Sequence, residues 1–165
     1  MMGSIQDMCL ANTAELPIVR GKRILLVDDQ DPVRDAITLL LSLDQHVVVQ
    51  ADNGFDALAL YTPSGFDLVI TDYEMPRMKG DELAFRVKEN CPSQPIIMVT
   101  AYAERLVDRG APVDALLDKP FQLRDLRQLI SRLISERDRT LSHNGQALRP
   151  PAFLGAQNDQ QPFNR

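Results

Sequence analysis

A doubly wound α/β sheet is what this sequence predicts, five parallel strands with helices on both faces. Three observations point there. Five short runs of Val, Ile and Leu are nearly continuous rather than alternating, as in strands buried on both faces of a parallel sheet. Helical stretches stand between and after those runs, so strand and helix alternate along the chain. Right-handed crossovers then leave few topologies open.

Residues 1–21 show no sustained period and read as a flexible leader. The regular pattern begins at Lys22. The strand runs are "RILLVD" (23–28), "HVVVQ" (46–50), "FDLVIT" (66–71), "PIIMVT" (95–100) and "VDALLD" (113–118). The first helix is expected to start with Asp31 as N-cap and Pro32 at the first helical position, with Val33, Ile37, Leu40 and Leu41 on one face. A second covers "NGFDALALY" (53–61), with Asn53 at its start. A third covers "DELAFRVKEN" (81–90), and Pro92 prevents its continuation. A fourth is expected over "AYAERLVDRG" (101–110), stopped by Gly110. The fifth, about 122–137, carries Leu123, Leu126, Ile130, Leu133 and Ile134 at helical spacing. Residues 138–165 are rich in Pro, Gly, Asn and Gln without a period and read as a disordered tail.

Composition narrows the function classes. The chain has 165 residues and a net charge of −5, which argues against a nucleic-acid surface. Aromatic residues make up 5% and Trp is absent, so the core must be aliphatic. No apolar run approaches the roughly 18 residues that span a bilayer, and the start is too acidic for a secretory signal, which suggests a cytoplasmic protein. Cys9 and Cys91 lack metal-type spacing and read as unpaired thiols. His46 and His143 lack acid or cysteine partners at useful spacing. His46 reads as a strand-edge residue and His143 as part of the tail.

The chemistry lies at the carboxyl ends of the strands, where open parallel sheets build their sites. The first strand ends in Asp28 and Asp29, the third is followed by Asp72, the fourth ends at Thr100, and the fifth leads into Lys119. On one sheet edge, three acids raise one another's pKa unless a cation offsets them. Mg²⁺ suits such a set, since it is commonly held by one or two carboxylates plus a phosphate. A carboxylate such as Asp72 can act as a nucleophile and form an acyl phosphate. Mg²⁺ and the Lys119 ammonium would neutralise charge growing on the phosphoryl oxygens, and Thr100 could donate a hydrogen bond to the product. Each residue alone has a plainer reading: Asp31 a helix start, Thr100 a strand end, Lys119 a surface lysine, "EMPRMKG" a Pro–Gly loop. The combination carries the meaning.

From about Lys22 to Arg137 the chain resembles the receiver domain of two-component response regulators, of the stand-alone, chemotaxis-regulator type. The resemblance rests on Asp28–Asp29, "TDYEMPRMKG" (71–80) around Asp72, "VTA" with Thr100, and "DKPF" with Lys119 and Pro120. It implies a flavodoxin-like strand order, 2-1-3-4-5. It implies that Asp72 accepts a phosphoryl group from the phosphohistidine of a sensor histidine kinase or histidine phosphotransfer protein. Asp29, Asp72 and the backbone carbonyl of Glu74 would bind Mg²⁺, with Asp28 acting mainly through a bound water, and Lys119–Pro120 would be cis. Glu74 and Tyr102 would flank the path of the hydrolytic water. A phospho-acceptor of this kind is not a turnover enzyme, and with no output domain of its own it would signal to a downstream effector protein. The surface of the fourth helix, fifth strand and fifth helix is the expected contact.

One position departs from the family. Receivers often carry Tyr or Phe three residues before the lysine, and here that position is Leu116. The departure is the support for a second reading, a module of the same fold that signals without phosphate. A third reading takes Asp29-x-Asp31-x-Val33 as the nucleophile motif of haloacid-dehalogenase-type phosphatases. It lacks the further acidic pair after the lysine, since residues 120–130 offer only Asp125, and it leaves Asp72 unexplained.

Overall fold

The computed structural model describes residues 18–101 and 110–145. Among them the strands are β1 (Arg23–Val27), β2 (Val47–Ala51), β3 (Leu68–Asp72), β4 (Ile96–Thr100) and β5 (Ala115–Asp118). The helices are α1 (Asp31–Ser42), α2 (Gly54–Leu60), α3 (Gly80–Asn90) and α4 (Leu123–Gly145). All strand pairs are parallel, and the order across the sheet is β2-β1-β3-β4-β5.

In the inner strands β1, β3 and β4 the continuous apolar runs follow from burial on both faces, while the edge strands β2 and β5 are only partly buried. Within β1, Ile24 and Leu26 join the core shared with α1 and α4. Leu25 and Val27 point the other way, into the core beneath α2 and α3. β3 divides in the same manner, Leu68 and Ile70 to the first layer and Val69 to the second. A smaller cluster joins Tyr73 and Met98, with Val113 and Leu116 packed against it.

Several ends differ from expectation. Gln30, not Asp31, is the N-cap of α1, and its carbonyl accepts from the amides of Val33 and Arg34. Asp31 lies inside the first turn, where its carboxylate pairs with Arg34 instead of capping the helix. Asn53 does cap α2, its side chain accepting from Phe55 N and Asp56 N, each at 2.9 Å. α4 does not stop near Arg137 but runs to Gly145, taking in residues 138–145 of the expected disordered tail, His143 among them, with the Thr140 and Ser142 hydroxyls donating to the carbonyls of Glu136 and Asp138. Residues 102–109 of the fourth predicted helix, Tyr102 among them, and Cys9 lie outside the described residues. Cys91 is a free thiol, as expected. His46 is buried just before β2, its Nδ1 accepting from Lys22 N at 3.1 Å.

Candidate functional site

Register brings the chemistry to one edge. Val27 lies opposite Thr71, Asp72 opposite Val99, and Thr100 opposite Asp118. Asp28, Asp72, Thr100 and Lys119 therefore end neighbouring strands at nearly one level. The Lys119 amide donates to the Thr100 carbonyl at 2.8 Å, which ties the start of the β5–α4 loop to the end of β4. The Lys119–Pro120 bond is cis.

The loop after Asp72 folds back tightly. The Gly80 amide donates to the Tyr73 carbonyl at 2.9 Å. A methyl group on Gly80 would overlap the Asp72 carbonyl oxygen and meet the Asp72 carbonyl carbon at 3.0 Å. Met78, wholly buried, anchors the loop against Gly54 at the start of α2.

Lys119 makes the central contacts. Its ammonium donates to Asp72 Oδ1 at 2.9 Å and to Asp28 Oδ2 at 3.1 Å. Asp28 is 1% exposed and Asp72 7%, so two charges that would repel in a dry site share one cation. Asp28 Oδ1 accepts a further bond from Gln30 N at 2.9 Å. Burial raises the Asp72 pKa above the usual carboxylate value, Asp28 adds to this, and the Lys119 ammonium opposes it without overcoming it. Burial works against the Lys119 ammonium, but the bonds and charges of Asp72 and Asp28 outweigh it and hold its pKa above the ordinary lysine value.

These side chains floor a cleft of about 260 Å³ lined by Gln30, Asp72, Glu74, Thr100, Ala101 and Lys119. Thr100 is 1% exposed. Gln30 and Ala101 were not among the sequence-based candidates. Gln30 has no chemical motif of its own and enters the cleft only because it caps α1 beside Asp28.

Asp29 is placed differently from Asp28. It is exposed and takes part in neither Lys119 ion pair. Among the described residues no three His, Cys, Asp or Glu side chains are gathered as a ready metal cluster. The donor set still fits Mg²⁺, which takes hard oxygen ligands and needs only one or two carboxylates beside water and phosphate. Two buried carboxylates already drawn onto a cation show that the edge favours positive charge. The phosphatase reading fits poorly, because the lysine it needs is committed to Asp28 and Asp72 while its nucleophile Asp29 stands in solvent.

Leu116, opposite Met98 in the sheet, packs against the small cluster of Tyr73 and Met98. Among the described residues no helix is long and apolar enough to cross a membrane.

Comparison with known proteins agrees with this geometry. Residues 24–131 match the family model "Response regulator receiver domain". The response regulator receiver protein CpdR of Brucella abortus is 38% identical over 116 residues, which is 68% of this chain and 97% of that protein. Other relatives are longer, and the chain spans 24% of one and 46% of another. A CheY-like receiver domain protein of Methanospirillum hungatei is 31% identical with a TM-score of 0.67, covering 73% of this chain and 98% of that one. The Thermotoga maritima response regulator protein TrrA, solved in complex with Mg²⁺ and BeF, is 32% identical with a TM-score of 0.64, covering 68% and 98%. Motifs, strand order and relatives agree: the chain belongs to the response regulator receiver domain family, whose standard function is phosphorylation-based signalling in two-component systems.

Proposed function

We propose that Asp72 is the phospho-acceptor of a receiver that takes its phosphoryl group from a phosphohistidine. The observation that carries this is the Lys119 ammonium bonded to both Asp28 and Asp72 in a cleft that Thr100 also lines. An Asp72 carboxylate oxygen attacks phosphorus, the P–N bond breaks, and its electron pair leaves with the imidazole of the donor. Lys119 stays beside Asp72 and offsets charge on the phosphoryl oxygens, and the Thr100 hydroxyl donates to one of them. Asp29, Asp72 and the Glu74 carbonyl would hold Mg²⁺, with Asp28 supporting. Bound there, the ion supplies further charge neutralisation during transfer.

The donor is a sensor histidine kinase or a histidine phosphotransfer protein. An apolar groove of about 380 Å³, lined by residues that include Pro32, Val33, Ile37, Leu40 and Phe121, opens next to Lys119 and offers that donor a seat. Output passes to an effector protein on the side of β5 and α4. We place the protein in the cytoplasm and read it as an acceptor with slow self-dephosphorylation, not as a turnover enzyme.

Incubation with Mg²⁺ and acetyl phosphate, followed by intact-mass measurement, tests the reading. One added phosphoryl group that is lost in Asp72→Asn, while Asp29→Asn, which removes a metal ligand, slows its appearance without abolishing it, supports the reading. The reverse pattern would restore the phosphatase reading. No mass gain at all would favour the phosphate-independent module, which the Leu116 substitution keeps open.

A further inference from the structure

Arg34 lies on α1, outside the cleft, and its side chain is only 12% exposed. Its guanidinium reaches three acceptors on three segments. Nη1 donates to the backbone carbonyl of Asp28 at 2.6 Å. Nε donates to Gln50 Oε1 at 3.0 Å, on the edge strand β2. Nη2 donates to the Asp31 carboxylate. Gln50 is itself held, its Nε2 donating to Thr38 Oγ1 at 2.9 Å.

The Asp28 carbonyl falls in the turn between the β1 ladder and the α1 ladder, so neither supplies its donor. Its own amide is still in the sheet, donating to Ala51 O at 3.3 Å. Arg34 thus fixes the far side of the residue, the peptide plane that joins Asp28 to Asp29. A guanidinium does this better than an ammonium because its planar fork aims several donors in set directions at once. The same cation is bonded to the Asp28 backbone and the Asp31 carboxylate, at the turn that carries Asp28, Asp29 and Asp31, and lowers the cost of crowding three acids there.

We infer that Arg34 is a positioning residue for the acidic pair, holding the Asp28–Asp29 peptide in the orientation that presents both carboxylates to a divalent cation. This rests on the reading of the cleft given above. Outer partners that orient metal ligands typically change metal affinity by roughly 10–100-fold when removed. A residue that merely stabilised the fold would shift Tm and leave that affinity alone.

The test titrates the full chain with Mg²⁺ by calorimetry, well below Tm, in wild type, Arg34→Ala, Arg34→Lys and Gln50→Ala. Arg34→Ala should weaken Mg²⁺ binding roughly 10-fold, and Arg34→Lys, which keeps the charge but loses the fork, should recover only part. Asp44→Ala, which breaks an ion pair remote from the cleft, should lower Tm with Mg²⁺ affinity unchanged. If Arg34→Ala does not fold, Gln50→Ala, which frees one arm of the guanidinium, should weaken binding by a smaller factor. Wild-type affinity in the folded Arg34 and Gln50 variants overturns the inference while leaving the phospho-acceptor reading in place. Should the wild type bind no Mg²⁺, the reading of the cleft fails instead. Amide exchange at Asp29 and Gln30 in the metal-free protein then decides on Arg34: faster exchange in Arg34→Ala supports positioning, and unchanged exchange overturns it.

Discussion

Gly80→Ala should damage the acceptor site through the backbone alone. A Cβ at residue 80 would overlap the Asp72 carbonyl oxygen and stand 3.0 Å from the Asp72 carbonyl carbon and 3.1 Å from Tyr73 Cα. These are backbone atoms, so no side chain can swing aside. The loop and the end of β3 would have to part by roughly 1 Å to reach ordinary contact. Overpacking of this kind costs about 1–3 kcal/mol. Alanine offsets about 0.4–1 kcal/mol by restricting the unfolded chain, which leaves a net loss of about 1–2 kcal/mol. For a domain of this size that is a fall in Tm of roughly 4–8 °C. Asp72 sits at the displaced point, and a 1 Å misplacement can cost about 10²-fold in rate. The assay pairs calorimetric melting with the rate of phosphorylation by acetyl phosphate at saturating Mg²⁺. Gly21→Ala is the control: Gly21 has φ +66° but nothing within 4 Å of a built Cβ. It should lose about 1 kcal/mol through left-handed strain and keep its phosphorylation rate. A Gly80→Ala protein with wild-type Tm and rate would refute the steric argument.

Lys119→Met should leave Asp28 and Asp72 buried without their cation and cost about 3 kcal/mol of stability in the absence of Mg²⁺. That is the low end for a broken buried pair, because the Lys119 side chain is 23% exposed. Added Mg²⁺ should recover part of the loss, measured by urea unfolding. The raised pKa of Asp72 gives a pH signature. Because the folded value lies above the unfolded one, ionisation of Asp72 destabilises the metal-free fold; the penalty is full above the folded value, shrinks as pH falls below it and is gone below the unfolded value. Asp72→Asn should therefore be more stable than wild type at neutral pH, with the gap closing on acidification. Its persistence at pH 3 would contradict the shift. Asp44→Ala removes the carboxylate that Arg127 grips at 2.6 and 2.8 Å. It should lower Tm and leave phosphorylation unchanged, whereas an equal loss of phosphorylation would show that the α1–β2 loop reaches the cleft. Phosphorylation should also alter amide exchange modestly around residues 100–118 through Thr100. No change there would remove the switch.

The central strands β1, β3 and β4 were legible because burial on both faces forces an unbroken apolar run, and every predicted run, those of the edge strands included, became a strand within two residues of its expected ends. α1 was legible as a helix but not its cap. Asp31 is a good capping residue, yet Arg34 draws its carboxylate to the side, a competition between partners that one-dimensional spacing does not contain. The end of α4 was missed because its exposed, polar last turns carry no apolar period to read.

In the site, residue types and their order determined that three acids, a threonine and a lysine could meet, since parallel strands deliver their carboxyl ends to one edge. Which acids meet was decided only in three dimensions. Register and the turn after β1 bury Asp28 against Lys119 and leave its neighbour Asp29 in solvent, although the two are alike in sequence. Gln30 entered the cleft, and Arg34 reached behind it, through contacts between segments distant along the chain. Local sequence sets backbone preference and chemical capacity. The direction a side chain takes from a turn depends on the donors that other elements bring to it, and those exist only once the sheet has closed.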